Sequence, residues 1–318
     1  MNRTIRIGTR ESELAVWQAT AVQKLLQNQN INAELVFVKS EGDIDLVTPL
    51  YEMGMQGIFT KTLDIALLNE RIDIAVHSMK DVPTLMPPGI SKAAVLKRAS
   101  YKDLLVYKRS DIIDLWQLNK DIKTPVFEEG IIATSSIRRK AQWLHRYPKH
   151  RIENLRGNVN TRMFKVSDSH WDGAIFAAAG LDRIDLRPKN SIELDWMLPA
   201  PAQGAIMVVC RSEDMLVLNS CKPFNDSFTD LCTKIERDFL HELKGGCSTP
   251  VSALAEIKID QVIFKAGVCS IDGADFSEIN KIKSLNDTDI SELGISSARE
   301  LLQNEKACRI IRDIRNER

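Results

Sequence analysis

The sequence has no run of 18 or more consecutive apolar residues, so no membrane-spanning helix is expected. Its opening, MNRTIRIGTRESEL, lacks an apolar segment of signal-peptide length, and a cytoplasmic location is the expectation. Neither sign of charge is in surplus. The 43 Lys and Arg balance the 43 Asp and Glu, which argues against bulk electrostatic attraction to nucleic acid. Six cysteines occur (Cys210, Cys221, Cys232, Cys247, Cys269 and Cys308), but no two stand in a CxxC pair. Neither a structural zinc site nor a disulfide framework is expected, and no metal ligands are assigned. Internal repeats and low-complexity tracts are also missing, and the five histidines stand at no fixed spacing from a cysteine.

What is present reads as a globular chain of two or three domains, since 318 residues exceed one ordinary core. Thr4–Gly8 alternates like a strand. Glu13–Gln27 reads as a helix with Leu14, Trp17, Ala21, Val22 and Leu25 on one face. Glu34–Lys39 is a second strand, Thr60–Asn69 a helix and Ile72–Val76 a third strand, the order of an α/β unit with a mainly parallel sheet. A second such unit starts near Lys102. In it DLLVY is a strand, IIATSSIRRKAQWL is strand, turn and helix, and WDGAIFAAAG is a buried strand. Pro199 and Pro201 mark a crossing point before the apolar run AIMVVC. From about Phe224 the pattern becomes α+β: a helix (TDLCTKIERDFLHEL), the strands SALAEIKI and VIFKAGVCS, and a terminal helix from Ile295 to Asn304.

Four constellations carry chemistry. Arg10-Glu11-Ser12 lies just past the first strand, where open α/β sheets bind anions. His77-Ser78-Met79-Lys80-Asp81 follows a buried strand directly, which puts an acid, a lysine and a serine at its carboxyl end. From Ile131 to Lys165 nine bases face one acid, Glu153. With Thr134, Ser135 and Ser136 opening a helix, this stretch predicts a multi-point anion cradle. Aromatic residues are not interleaved there in the stacking pattern that single-stranded nucleic acid favours. Last, Gly245-Gly246-Cys247-Ser248 lets the backbone turn and present a thiol for covalent chemistry.

Seven ordered strings, TRESELAVWQA, VHSMKDVP, TSSIRR, LRGNVNTR, AAAGLDR, LPAPAQGA and GGCSTPV, together resemble the porphobilinogen deaminases (hydroxymethylbilane synthases) over essentially the whole chain. The resemblance implies two similar periplasmic-binding-protein-like α/β domains with mixed, mainly parallel sheets, plus a small C-terminal α+β domain. The boundaries that follow are 1–101 with 198–221, then 102–197, then 222–318.

It further implies a transferase of heme biosynthesis that condenses four porphobilinogens, releases four ammonia molecules and frees hydroxymethylbilane by hydrolysis. By motif, Cys247 carries a dipyrromethane cofactor through a thioether and Asp81 is the catalytic aspartate. The cofactor set is Asp43, Ser78, Lys80, Asp81, Thr134, Ser135, Ser136, Arg138, Arg139 and Arg156. The substrate set is Arg10, Ser12, Arg156, Arg162 and Arg183. A monomer is expected, with no nucleic-acid or membrane partner. Its product would pass to uroporphyrinogen-III synthase without a stable complex.

The chain departs from the family pattern at Gln56, where a lysine is usual, and at Thr62 and Glu41. Two other classes compete. A non-catalytic anion-binding protein would explain the arginines but would not require Cys247. A cysteine hydrolase would require a histidine base, for which His241 is the nearest candidate in sequence.

Overall fold

The structure, a computed structural model, describes residues 3–39, 60–108, 129–246 and 249–316. The chain opens with β1 (Ile5–Thr9), α1 (Glu13–Gln27), β2 (Ala33–Phe37), α2 (Lys61–Leu68), β3 (Ile74–Ser78) and β4 (Ile90–Val95). It crosses into β5 (Asp103–Tyr107), β6 (Ile131–Ala133), α3 (Ile137–Arg146), β7 (Arg151–Glu153), α4 (Val159–Asp168), β8 (Gly173–Ala177), α5 (Ala178–Asp182) and β9 (Ser191–Glu193). It returns through β10 (Ile206–Arg211) and α6 (Met215–Cys221). It ends in α7 (Ser227–Glu242), β11 (Val251–Lys258), β12 (Gln261–Cys269), β13 (Phe276–Ser284), α8 (Leu293–Leu301) and α9 (Glu305–Asn316).

Two five-stranded sheets share one plan. The first runs β2-β1-β3-β10-β4 and the second β7-β6-β8-β5-β9. In each, three strands pair in parallel and a fourth, β10 or β5, runs against both its neighbours. The reversed strand comes last in lobe one and first in lobe two, so the chain crosses between the lobes twice. The apolar run of β3 is explained by helices on both faces. Ile74 and Val76 pack with Ala19, Val22 and Leu26 of α1, while Ala75 packs with Leu63, Ala66 and Leu67 of α2.

The two crossings pass close to each other at Gly204. It adopts φ +88°, and an added Cβ there would lie 2.7 Å from the carbonyl oxygens of Ala99 and Ser100. A third, antiparallel sheet, β11-β12-β13, is covered by α7, α8 and α9. Glu236 of α7 clamps both crossings to this unit. Fully buried, it binds Arg98 through both oxygens at 2.6 and 3.1 Å and accepts the Ala202 N–H at 2.6 Å.

Several expectations need correction. α1 buries Ala15, Gln18, Ala19, Val22 and Leu26, whereas Trp17 is 41% exposed and faces Arg183. Its apolar stripe is narrow and includes a glutamine, which apolar periodicity does not count. The expected strand does not extend through Gly180: β8 stops at Ala177, and Ala178–Asp182 is helical. The helix expected over Ile295–Asn304 runs from Leu293 to Leu301, and a further helix, Glu305–Asn316, was not anticipated. β13 was not anticipated because its inward face carries Ser277 and Lys281 beside Ile279 while Ile282 on the other face is exposed, which hides the alternation. Among the described residues, no helix is long and apolar enough to cross a membrane.

Candidate active site

The carboxyl ends of the parallel strands in both lobes face one cleft of about 320 Å³. From lobe one, Arg10 and Ser12 follow β1. Ser78 ends β3, and Lys80 and Asp81 sit in the single 3₁₀ turn Met79–Asp81. From lobe two come Thr134, Ser135 and Ser136 after β6, Arg138 and Arg139 in α3, Arg156 after β7, Arg162 in α4 and Arg183 after α5. All thirteen line the cleft. Asp43 and Cys247 lie outside the described residues, as do Glu41 and Gln56. Gly246 and Thr249, which flank the Cys247-Ser248 pair in sequence, line the cleft. Thr62 lies in α2 and is not among the lining residues.

Only part of the basic run forms the cradle. Arg138, Arg139, Arg156 and Arg162 reach the cleft, whereas Arg146 stacks on Trp196 and Tyr147. Position along the helix decides this: Arg146 shares a face with Arg139, seven residues earlier, but lies about two turns beyond the α3 N-terminus that meets the cleft. The hydroxyl triplet also divides its work. Ser136 caps α3, its Oγ accepting the Arg139 N–H at 3.4 Å, and Thr134 Oγ1 accepts the Ser136 N–H at 3.2 Å. Ser135 instead ties β6 to the segment bearing Arg156, accepting the Leu155 N–H at 3.0 Å and donating to its carbonyl.

The lining holds seven basic side chains against two carboxylates, Glu13 and Asp81. Burial pushes the Arg162 guanidinium down to about 10, and repulsion from Arg139 and Arg156 adds to it. Arg183 is brought to about 10 by burial, and Lys80 to about 8, burial again dominating. Buried cations that weaken one another's charge make a site short of anions, and a ligand with several carboxylates would relieve it. Arg162 is aimed by a bond to the Gly157 carbonyl at 2.7 Å, Arg183 by one to Gly204 at 2.7 Å. Gln18 donates to Ser78 Oγ at 2.9 Å.

Sequence reasoning missed three buried side chains that support these groups: Gln18, Gln203 and Asp103. Asp103 is an acid at the start of an otherwise apolar strand, which was the available signal. Burial alone would raise its carboxyl, but Arg138 and Arg139 outweigh that and hold it ionised at about 2. His77 is held neutral, down to about 3, by burial and then by Arg10, so it carries no charge into the site. Four of the other cysteines are inert, burial lifting Cys210 to about 11 and Cys221, Cys232 and Cys269 to about 12. His241, the candidate hydrolase base, meets Thr84 Oγ1 at 3.3 Å.

Two α/β lobes of one topology, joined by a double crossing and closing on a cationic cleft, define a two-lobed anion-binding protein, here with a third sheet unit added. A distant likeness extends to the Bordetella pertussis BvgS periplasmic VFT2 domain (13% identity, 69% of this chain and 87% of that one, TM-score 0.40). It extends also to the substrate binding protein of an amino acid ABC transporter (12%, 70% and 91%, TM-score 0.34), but at such scores neither carries an argument.

The sequence comparisons are decisive. The family described as "Porphobilinogen deaminase, dipyromethane cofactor binding domain" matches residues 5–219, and "Porphobilinogen deaminase, C-terminal domain" matches 230–303. Porphobilinogen deaminase of Acidithiobacillus ferrooxidans is 37% identical over 321 residues, covering 99% of this chain and 100% of its own. That of Desulforamulus reducens is 38% identical over 307 residues, 95% of each. The chain belongs to the porphobilinogen deaminase family. It is accordingly a transferase of porphyrin biosynthesis that uses a dipyrromethane cofactor.

Proposed function

We propose that this cleft condenses four porphobilinogens head to tail and releases hydroxymethylbilane, and that Cys247 anchors the cofactor. The observation that carries the reading is the surplus of cations around a single catalytic-turn carboxylate, Asp81, between two lobes. Each pyrrole brings an acetate and a propionate, so a growing chain accumulates the anions these cations require. When bound, the dipyrromethane supplies the nucleophilic α-carbon that primes the chain.

The side chains divide the remaining work. Lys80, Arg138, Arg139 and Arg156 hold the cofactor's carboxylates, with Ser78, Thr134, Ser135 and Ser136 as polar support and Asp43 contributing from its own segment. Arg10, Ser12, Arg156, Arg162 and Arg183 hold the carboxylates of the incoming pyrrole. Asp81 accepts pyrrole N–H bonds and stabilises the positive charge that develops on the ring as ammonia departs. Its carboxylate also assists the loss of the proton when the new carbon–carbon bond forms.

On the same reading the domains are 1–101 with 198–221, 102–197 and 222–318. The chain acts in the cytoplasm as a monomer and passes its product to uroporphyrinogen-III synthase without a stable complex. Neither nucleic acid nor membrane is a partner.

Intact mass tests the proposal directly. The purified chain should exceed its sequence mass by one dipyrromethane, and porphobilinogen should add a ladder of pyrrole increments. Cys247→Ser should carry no added mass. A bare wild-type chain that never acquires increments would sink the assignment.

A further inference from the structure

Beneath the cleft floor, Asp103 opens β5 with no solvent exposure. Its Oδ1 accepts two bonds from Arg139, from Nε at 2.9 Å and Nη2 at 2.7 Å, and a third from Gln203 Nε2 at 3.0 Å. Its Oδ2 pairs with Arg138 Nη2 at 2.8 Å. Gln203, on the returning crossing, also donates from Nε2 to the Tyr101 carbonyl at 2.7 Å. Two acceptors on one side of the amide fix which way it points. Its Oε1 is therefore left to accept from Lys80 Nζ of lobe one, at 3.3 Å.

We propose that Asp103 is the positioning residue of the cofactor site, orienting Arg138 and Arg139 directly and Lys80 through Gln203, so that the cations stand assembled before any ligand carboxylate arrives. The inference rests on reading those three cations as cofactor contacts. Arg138 and Arg139 are consecutive, and both are buried. Two guanidiniums so placed repel each other and suffer from burial unless an anion lies between them. One internal carboxylate serves three cations, which leaves positive charge for the ligand. Arg138 Nη1 is further bonded to the Leu198 carbonyl at 2.7 Å, and Arg139 Nη1 to that of Ile175 at 3.0 Å. Each head group is thus held at two or more points, the rigidity that preorganised binding needs.

The test compares wild type, Asp103→Asn, Asp103→Glu and Cys247→Ser by intact mass, by colour with Ehrlich's reagent and by circular dichroism. Asp103→Asn should fold yet load the cofactor roughly tenfold less, as loss of charge-assisted bonds implies. Asp103→Glu should restore part of the loading, which a merely space-filling role would not produce. Normal loading of Asp103→Asn beside an unloaded Cys247→Ser overturns this inference alone. Cofactor mass persisting in Cys247→Ser overturns the site reading and this inference with it. Should Asp103→Asn prove insoluble, Gln203→Met keeps both ion pairs and removes the amide's bonds to Asp103, the Tyr101 carbonyl and Lys80. It should fold but load the cofactor several-fold less than wild type, and normal loading overturns the proposal.

Discussion

Lobe one and lobe two have the same strand order and bring opposite chemistry to the cleft. The strand ends of lobe one present Arg10, Lys80 and the carboxylate of Asp81. Those of lobe two present a hydroxyl triplet and the guanidiniums of Arg138, Arg139, Arg156, Arg162 and Arg183. In both lobes the groups that line the cleft follow the parallel strands, and the reversed strand presents none of them, although in lobe two it carries Asp103 beneath them. The fold sets where a side chain can enter the cleft, and the residue types at those few positions set the role. Lobe two is a carboxylate grip, and lobe one carries the group proposed to act on the ring.

The comparison holds only while the shared hinge keeps the two sets of strand ends opposed. Arg98→Met is expected to have the largest effect, because it strands the buried Glu236 carboxylate without its cation. Breaking a buried pair this way costs about 3–5 kcal/mol. Urea unfolding should show it, and a loss under about 1 kcal/mol, the range of exposed pairs, would mean the clamp is not what joins the lobes. Arg138→Leu in lobe two should leave most chains without cofactor mass. Full loading and normal elongation in that variant would refute the carboxylate grip at this position.

Asp81→Asn in lobe one should do the converse, loading normally but turning over on the order of 100-fold more slowly. If the two variants shared one phenotype, the division of labour would be wrong. Lys80 offers a finer cut. With its ammonium brought to about 8 by burial, its grip on the cofactor's carboxylates should weaken and loading of the apoprotein fall above that pH. For the ligand-free fold the sign is opposite. The unfolded chain keeps that proton up to about 10.5, so stability should increase between pH 8 and 10.5. Lys80→Arg should abolish the alkaline loss of loading, and an unaltered profile would assign that loss elsewhere. The smallest effect is expected of Trp17→Leu. This removes a cross-lobe contact with the Arg183 guanidinium 5.7 Å from the ring, worth about 1 kcal/mol at most at so exposed a site. A KM change beyond about tenfold would show that Trp17 does more than steady Arg183.

Much of the site was legible because it is built from short contiguous strings at strand ends. VHSMKDVP follows a strand whose apolar run is unmistakable, so Lys80 and Asp81 could be placed before any coordinates. The basic run was legible as charge but not as geometry. That Arg138 and Arg162 enter the cleft while Arg146 does not depends on which helix ends the tertiary structure brings there, since only the first turn of α3 reaches it. The likeness of the lobes was invisible as a repeat, since their strand orders are related by a permutation of the chain. The errors in α1 and β13 share a cause: both elements pair a narrow buried stripe with polar residues, and periodicity weighs only the apolar ones.

The sequence alone determined the alternation of strands and helices, the strand ends where chemistry could gather, and the residues available there, because those depend on local periodicity and side-chain type. Only the tertiary structure decided that Asp103 lies under Arg138 and Arg139, that Gln203 bridges it to Lys80 more than a hundred residues away, and that Glu236 clamps both crossings. Such contacts join residues distant in sequence, and burial gives them their strength by removing the water that would otherwise screen each charge.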